Sequence, residues 1–353
     1  MKITGIIVEY NPLHLGHIHH IQQTRQLTQC DILVAVMSPN FTQRGSVACV
    51  DKFERTKKAL EHHVDVVIEL PTIYATQSAS VFAQSAVKLL HLAQVDTIVF
   101  GSETNDINTL RQIAQEPFNQ KLFEQRISEG ESFAHATNHH NLSPNDILGV
   151  SYIKAANTYN IQTQCILRTN QYHDKDLSQP ILSASAIRHG VKNNQYSNQA
   201  MVDLTHFVFD EAIYPHLRYR LLSASKSELQ NNLLVSEGIE NLFIEKGKYI
   251  DNYDEFIQAC VSKRYSQSRI QRTCLSIVLN HQSRNLHDLD FIRILGFRKE
   301  ATSYLKRLPS KVTQFKDLPE VVRENELKAT LIYSLLSTAP NLMSKEIGKP
   351  IIV

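Results

Sequence analysis

Two histidines with two residues between them, His14-Leu15-Gly16-His17, follow a short apolar run near the start of the chain. Positions three apart on a helix share a face, so both imidazoles can reach one phosphate group. Gly16 permits close backbone approach. A helix starting here would add free N–H groups and a partial positive charge, which suit an anion. Nucleotidylyl transfer at an α-phosphate needs positioning and stabilisation of the charge that spreads onto the phosphate oxygens. His14 and His17 are therefore the candidate catalytic pair. The same four residues would also fit surface histidines near a turn, but their place at a strand–helix junction favours phosphate. His19 and His20 lengthen the histidine-rich stretch. Metal binding by His14, His17 and His20 would want a carboxylate at helical spacing, and there is none. No metal site is expected.

A second constellation is Ile181-Leu182-Ser183-Ala184-Ser185-Ala186-Ile187-Arg188. Ser183 or Ser185 can cap a helix, and Arg188 in its first turn makes an anion cradle. Both roles can hold at once.

The elements that must position these residues follow from periodicity. Residues 3–8 are a β-branched apolar run, hence a buried strand, and Asn11-Pro12 with Gly16 mark a loop. A helix is expected from His17 to Thr28, and a strand over 31–37. Residues 51–62 read as a helix with Asp51 as N-cap. Further strands are expected at 64–70, 96–100 and 162–167, and helices at 78–93, 143–159 and 184–192. This alternation predicts an α/β fold with a parallel sheet covered on both faces. Beyond about residue 195 helical periodicity dominates: 211–223, 236–247, 253–259, 267–280, 288–294, 301–308 and 323–336. The chain is read as two parts, 1–195 and a mainly helical 196–353, with KPIIV as a short final strand.

Composition bounds the function. The 353 residues are 42% hydrophobic and 20% charged, which is ordinary for globular domains. Five cysteines, an odd number without C-x-x-C spacing, argue against a disulfide framework or a zinc site. No apolar stretch reaches the roughly 20 residues of a membrane span, and the N-terminus lacks the long apolar core of a signal peptide. A cytoplasmic protein without a membrane partner is expected. Net charge is only +2, but Cys260 to Lys316 holds twelve Lys and Arg against Asp288, Asp290 and Glu300. Such clustering can mark a nucleic-acid surface or a solvated helical face. Arg269 and Arg272 share a helix face, and Lys263, Arg264, Arg298, Lys299, Lys306 and Arg307 can extend it. Phe297 and Tyr304 are candidate base-stacking aromatics.

The segments GIIVEYNPLHLGH, AVMSPNFTQRGSVA, DKFERTKKAL, VDVVIELP, FGSE, SPNDILGVSYIKA, LRTNQYHD and SASAIR occur in this order. Together they span nearly all of residues 1–190, and SRIQRTCLSIVL and FIRILGFRKE follow in the helical half. The chain so resembles the HIGH-type nucleotidyltransferase superfamily and, within it, the bacterial tRNA(Met) cytidine acetate ligase family. The resemblance implies a Rossmann-like, HUP-type nucleotidyltransferase domain. It implies an enzyme that activates acetate with ATP as acetyl-adenylate and acetylates N4 of the wobble cytidine of elongator tRNA(Met). ATP would lie against Ile7, Val8, Glu9, Tyr10, Asn11, Pro12, Leu13, His14, Gly16, His17 and His20. Gly101 would approach it through its backbone, and Arg168, before Tyr172-His173-Asp174, would touch it. In the family's P-N-N segment this chain has Pro144-Asn145-Asp146. Asp146 loses the amide donor there, and Asn145 can substitute. Ser183 and Arg188 complete the expected ATP set. Gln43-Arg44-Gly45 and Lys52 with Arg55 are candidates to close over triphosphate or acetate. Magnesium is expected with ATP. Arg264, Arg269, Arg272, Arg298 and Lys299 are the expected RNA contacts. Two other readings stay open: a small-molecule adenylyltransferase of the same fold, and a non-catalytic RNA-binding protein.

Overall fold

The structure, a computed structural model, describes residues 1–132, 136–137, 140–168, 181–195 and 199–353. The first half alternates strands and helices: β1 (Ile3–Val8), α1 (Leu15–Thr28), β2 (Ile32–Met37), α2 (Lys52–Glu61), β3 (Val66–Glu69), α3 (Thr72–Ala75) and α4 (Ala79–Leu92). β4 (Thr97–Ser102), α5 (Ile107–Gln115), α6 (Gln120–Ser128), α7 (Pro144–Thr158), β5 (Gln162–Leu167) and α8 (Ala184–Lys192) complete it. The helices that follow are α9 (Tyr214–Ser223), α10 (Lys226–Gln230), α11 (Ile239–Tyr249), α12 (Tyr253–Cys260) and α13 (Gln267–Leu279). Then come β6 (Ile292–Phe297), α14 (Thr302–Arg307), β7 (Lys311–Val312), α15 (Glu320–Leu336), α16 (Leu342–Glu346) and β8 (Ile351–Ile352).

The strands form one sheet in the order β5-β4-β1-β2-β3-β6-β7, with β8 also on β6. β5, β4, β1, β2 and β3 are parallel, and β6 runs antiparallel to β3. The chain moves from β1 outward through β2 and β3, then returns to lay β4 on the other side of β1. That reversal opens a crevice beyond the carboxyl ends of β1 and β4, where open α/β sheets bind ligands.

Period-2 alternation divides β2 between two cores. Leu33, Ala35 and Met37 point into one hydrophobic cluster, and Ile32, Val34 and Val36 into the other. The sheet is thus buried on both faces, as parallel sheets are. Side chains buried this completely stabilise the fold by roughly 1.5–3 kcal/mol each. The first cluster runs on into the helical part through Phe243, Phe256, Ile270, Leu275 and Tyr333. The second is closed by α4, α7 and α14.

The expected helix over 288–294 is a correction. Residues 292–297 are β6, registered on β3 through Val66–Phe297 and Val67–Gly296. The run FIRILGF is short and apolar, so its periodicity does not separate strand from helix. The final strand does return to the sheet: Ile351 and Ile352 pair with Gly296 and Phe297. Asp51 caps α2 by accepting from the N–H groups of Phe53 and Glu54. All five cysteines are free. Among the described residues no helix is long and apolar enough to cross a membrane.

Candidate active site

The crevice at the end of β1 is built by a loop the chain fixes tightly. The Asn11–Pro12 peptide is cis. Asn11 Oδ1 accepts from the Cys49 N–H at 2.8 Å, and the Asn11 carbonyl accepts from Arg188. Leu13 is wholly buried in the core, and its carbonyl accepts from the Met201 N–H. These contacts deliver His14 to the N-cap of α1.

There the two imidazoles cap the helix reciprocally. His14 Nδ1 accepts from the Gly16 N–H at 3.0 Å, and His17 Nδ1 accepts from the His14 N–H at 3.3 Å. A backbone N–H only donates, so each Nδ1 is unprotonated. The single proton of a neutral ring then sits on Nε2. Both rings are held neutral. Burial, then the charges of Arg168 and Arg188, pulls His14 down to about 3. Burial and His14 hold His17 well below its ordinary value. The ring centroids are 3.8 Å apart, and Tyr10 packs edge-on against His17 at 5.0 Å. The pair thus presents two Nε2–H donors without fixed charge. His20 follows on the same helix. Burial, then Arg168, pulls it down to about 4, and its Nε2 is buried without a hydrogen-bond partner among the described residues. A buried polar atom of this kind calls for a ligand or water.

These groups line a cavity of about 220 Å³ at the ends of β1, β4 and β5. Of the residues expected around ATP, Ile7, Val8, Glu9, Tyr10, Asn11, His14, Gly16, His17, His20, Gly101, Asn145, Arg168, Ser183 and Arg188 all line it. Ser183 also caps α8 by accepting from the Ala186 N–H. Pro12, Leu13 and Asp146 do not line it. Asp146 is fully buried and turns away: its carboxylate accepts from the Ser102 hydroxyl and, at 3.2 Å, from the Thr104 N–H. Its task is to hold the turn after β4. Asn145 is the residue of that segment that faces the cavity, and its amide donates to Glu103 Oε1. Arg168 Nε lies 3.8 Å from the same oxygen. Tyr172, His173 and Asp174 lie outside the described residues.

Of the loop candidates, Gln43 and Arg44 line the cavity, with Glu9 Oε1 accepting from the Gln43 N–H at 2.8 Å. Lys52 and Arg55 do not, which corrects their expected role. Lys52 is buried between Glu69 and Glu346 at 2.5 and 2.7 Å. Arg55, fully buried, donates to the carbonyls of Val50, Glu9, Ser38 and Pro39. It ties together the loops that follow β1 and β2.

Residue spacing did not reveal Glu103, which orients Asn145 and Arg168 together, or the apolar wall of Phe82, Phe100, Leu148, Tyr152 and Ile166. FGSE gave the one trace of Glu103. The wall residues follow ordinary core periodicity, which carries no functional mark.

The expected RNA residues separate into two places. Arg269 donates to the Leu234 carbonyl and to Ser236 Oγ, and Arg264 pairs with Glu237 at 3.1 Å. Arg272 packs against the loop after β2 and donates to the Gln43 carbonyl at 3.4 Å. Arg298 instead meets Asp65 at the amino end of β3, and Lys299 follows it, at the far end of the sheet from the cavity. Tyr304 is no stacking platform: it is 2% exposed and its hydroxyl donates to the Ala93 carbonyl.

The sequence model of the family described as HIGH Nucleotidyl Transferase matches residues 1–346. The tRNA(Met) cytidine acetate ligase of Listeria monocytogenes is 37% identical, over 99% of each chain. The chain belongs to this HIGH nucleotidyltransferase family, among the tRNA(Met) cytidine acetate ligases. The Staphylococcus aureus ligase is 34% identical over 96% of each chain. The crystal structure of Thermotoga maritima TmcAL bound with alpha-thio ATP superposes with a TM-score of 0.88 at 29% identity, covering all of both chains. Its apo form gives 0.89 at 28% identity, again over both full chains. This family membership accords with the crevice, which lies where the HIGH-type histidines meet the end of β1.

Proposed function

We propose that this chain is an ATP-dependent ligase that acetylates N4 of the wobble cytidine of elongator tRNA(Met). The observation that carries the reading is the reciprocal cap, which leaves His14 and His17 neutral with Nε2–H donors in an arginine-walled cavity. The near-full-length likeness to named ligases supports the choice of substrates.

In the first step an acetate oxygen attacks the α-phosphorus of ATP. The bond from α-phosphorus to the bridging oxygen breaks, and pyrophosphate leaves. His14 and His17 donate hydrogen bonds to the phosphate oxygens as charge develops on them. Preorganised donors in a water-poor site are worth most at that moment. Arg168 and Arg188 offset the triphosphate charge. In the second step the cytosine amine attacks the acetyl carbonyl carbon. The bond to the adenylate oxygen breaks, AMP leaves and the amine gives up a proton. That amine is a poor nucleophile because its lone pair is delocalised. Activation of acetate and orientation by bound tRNA compensate.

Magnesium would arrive on the triphosphate, held by phosphate oxygens and water. Glu9 is the one carboxylate among the described lining residues, and its Oε1 already accepts from Gln43. The chain's own contribution is therefore donors and arginines. The proposed division of labour assigns residues 1–195 to the nucleotide and the mainly helical remainder to tRNA, in the cytoplasm.

Incubation with ATP, labelled acetate and elongator tRNA(Met) should place label in cytidine and release AMP and pyrophosphate. Acetate-dependent ATP–pyrophosphate exchange without label in RNA would favour an adenylyltransferase of another acceptor. RNA binding without any exchange would favour a non-catalytic RNA-binding protein.

A further inference from the structure

A second and larger concavity lies beside the nucleotide cavity. It measures about 1490 Å³. That exceeds the roughly 300–1,000 Å³ usual for small-molecule sites. One wall comes from α4 and α7, the other from α13 and the turn before it. Arg44, Lys88, Lys154, Arg264, Arg269 and Arg272 line it, against Glu131, Glu237 and Asp288. Glu237 is already engaged, by Arg264 at 3.1 Å and the Tyr265 hydroxyl at 3.2 Å. Aromatic surface is interleaved with this charge: Tyr265 and Tyr159 line the groove, as does Phe118, which is 56% exposed. Cations that track a backbone together with rings on which bases stack are what a single strand of nucleic acid requires.

The two concavities share Leu148 of α7 and, in the loop after β2, Gln43 and Arg44. This loop is fixed to the helix that carries Arg269 and Arg272. Gly45 has φ +87, and a Cβ there would lie 2.4 Å from the Arg272 backbone nitrogen. Lys263, next to Arg264, donates to the Glu129 carbonyl at 2.6 Å.

We infer that this groove holds the single-stranded RNA flanking the target cytidine, and that Gln43 and Arg44 form the passage through which its base reaches the adenylate. The inference rests on the ligase reading and deepens it. It assigns RNA contact to Lys88 and Lys154, which belong to the nucleotide-binding half, and withdraws it from Arg298 and Lys299.

The experiment compares Lys88→Glu with Lys154→Glu, as one double variant, against Arg298→Glu with Lys299→Glu. Two quantities are read: acetate-dependent ATP–pyrophosphate exchange, and tRNA affinity over a salt series. Neither lysine lines the nucleotide cavity, so exchange should stay within about twofold of wild type, and it reports that the fold is intact. The groove variant should bind tRNA at least about tenfold more weakly, with the slope of log K against log salt smaller by about two. The Arg298 and Lys299 variant should keep both. Unchanged tRNA binding in the groove variant, or the loss appearing in the other variant instead, overturns the inference. If charge reversal abolishes exchange, the neutral pair Lys88→Gln with Lys154→Gln is read by the same slope, and an unchanged slope again overturns it. A wild-type protein that binds tRNA but transfers no acetyl group to it would sink the ligase reading. In that case the slope test of the groove still stands.

Discussion

Two clusters of polar side chains, one partly and one wholly buried, sit beyond the carboxyl ends of the same parallel sheet. One lies at β1 and β4, around His14, His17, His20, Arg168 and Arg188. The other lies at β3, where Lys52 and Arg293 each reach both Glu69 and Glu346, at 2.5–2.7 Å. In the second cluster the protein supplies every partner. Thr330 donates to Glu346, Arg293 also donates to the Glu346 carbonyl, and Thr72 donates to Glu326 through its N–H and its hydroxyl. In the first, among the described residues, a buried Nε2 on His20 is left over, and the rings of His14 and His17 use one nitrogen each. A closed cluster holds the fold, here by tying α15 and α16 to the sheet. An open cluster, only partly buried, is prepared for something from outside.

The largest effect should come from breaking the closed cluster. Lys52→Met removes one of its two cations and leaves Glu69 and Glu346 sharing Arg293. Removing one partner of a buried ion pair costs about 3–5 kcal/mol. The midpoint of urea unfolding should fall accordingly, while the protein that remains folded should bind ATP as before. A loss of ATP affinity without a loss of stability would reverse the roles assigned to the two clusters.

Next is the open cluster. His14→Asn keeps an acceptor near the position of Nδ1, so the cap on Gly16 can survive, but it removes the Nε2–H donor. Loss of one such donor lowers turnover by about 10²–10³-fold. Acetate-dependent pyrophosphate exchange should drop by that factor with little change in unfolding midpoint. Exchange at the wild-type rate would exclude His14 from transition-state stabilisation.

Within the closed cluster Glu326 should respond to pH with the opposite sign from the histidines of the open one, while Glu346, held low by Lys52 and Arg293 against its burial, shares their sign. His14, His17 and His20 have folded pKa values below the ordinary 6.5, chiefly through burial, with His14 at about 3 and His20 at about 4. Below about pH 6.5 the unfolded chain binds more protons than the folded one, so stability is lost as pH falls toward those values. Glu326 is shifted the other way. Burial, then the charge of Glu69, raises it above 4.5. Its contribution is complete below that value and is lost as pH rises through the folded pKa. Glu326→Gln should therefore flatten the decline in unfolding free energy toward neutral pH and leave the acid decline in place. The reverse outcome would mean that Glu326 is not the group titrating.

What the sequence reveals of each cluster depends on how local the partners are. The strand 3–8, the H-x-G-H turn and the Asp51 cap are legible because their signals lie within a few residues of one another. Lys52 and Arg55 looked like triphosphate ligands because they are cations near a strand end. Their real partners, Glu346 and the carbonyls of Glu9 and Pro39, are brought to them only by the tertiary fold. Arg293, one of the twelve basic residues between Cys260 and Lys316, is likewise buried between two carboxylates. β6 is not legible as a strand because FIRILGF carries neither a clear period of two nor one of 3.6. The departure at Asp146 was visible, but its meaning was not, since Ser102 and Thr104 are more than forty residues away. Likeness to the family named the chemistry that local spacing left open.

The smallest expected effect tests how finely the open cluster is shaped. Gly101, the last but one residue of β4, faces the cavity, and a Cβ built there would lie 3.1 Å from Arg168 Cγ. That is tight, but the neighbour is the stem of a flexible side chain and can yield. Gly101→Ala should therefore leave the fold intact and displace Arg168 slightly. The cost should be about 1 kcal/mol of ATP affinity, the lower end for an added methyl group, or roughly fivefold in Kd. Because the guanidinium of Arg168 serves the triphosphate in this reading, AMP should bind Gly101→Ala nearly as well as wild type. An equal loss for AMP would mean that Gly101 meets the nucleoside directly, as backbone approach to ATP would require. The ratio of the two affinities thus tells contact by Gly101 itself from contact made through Arg168.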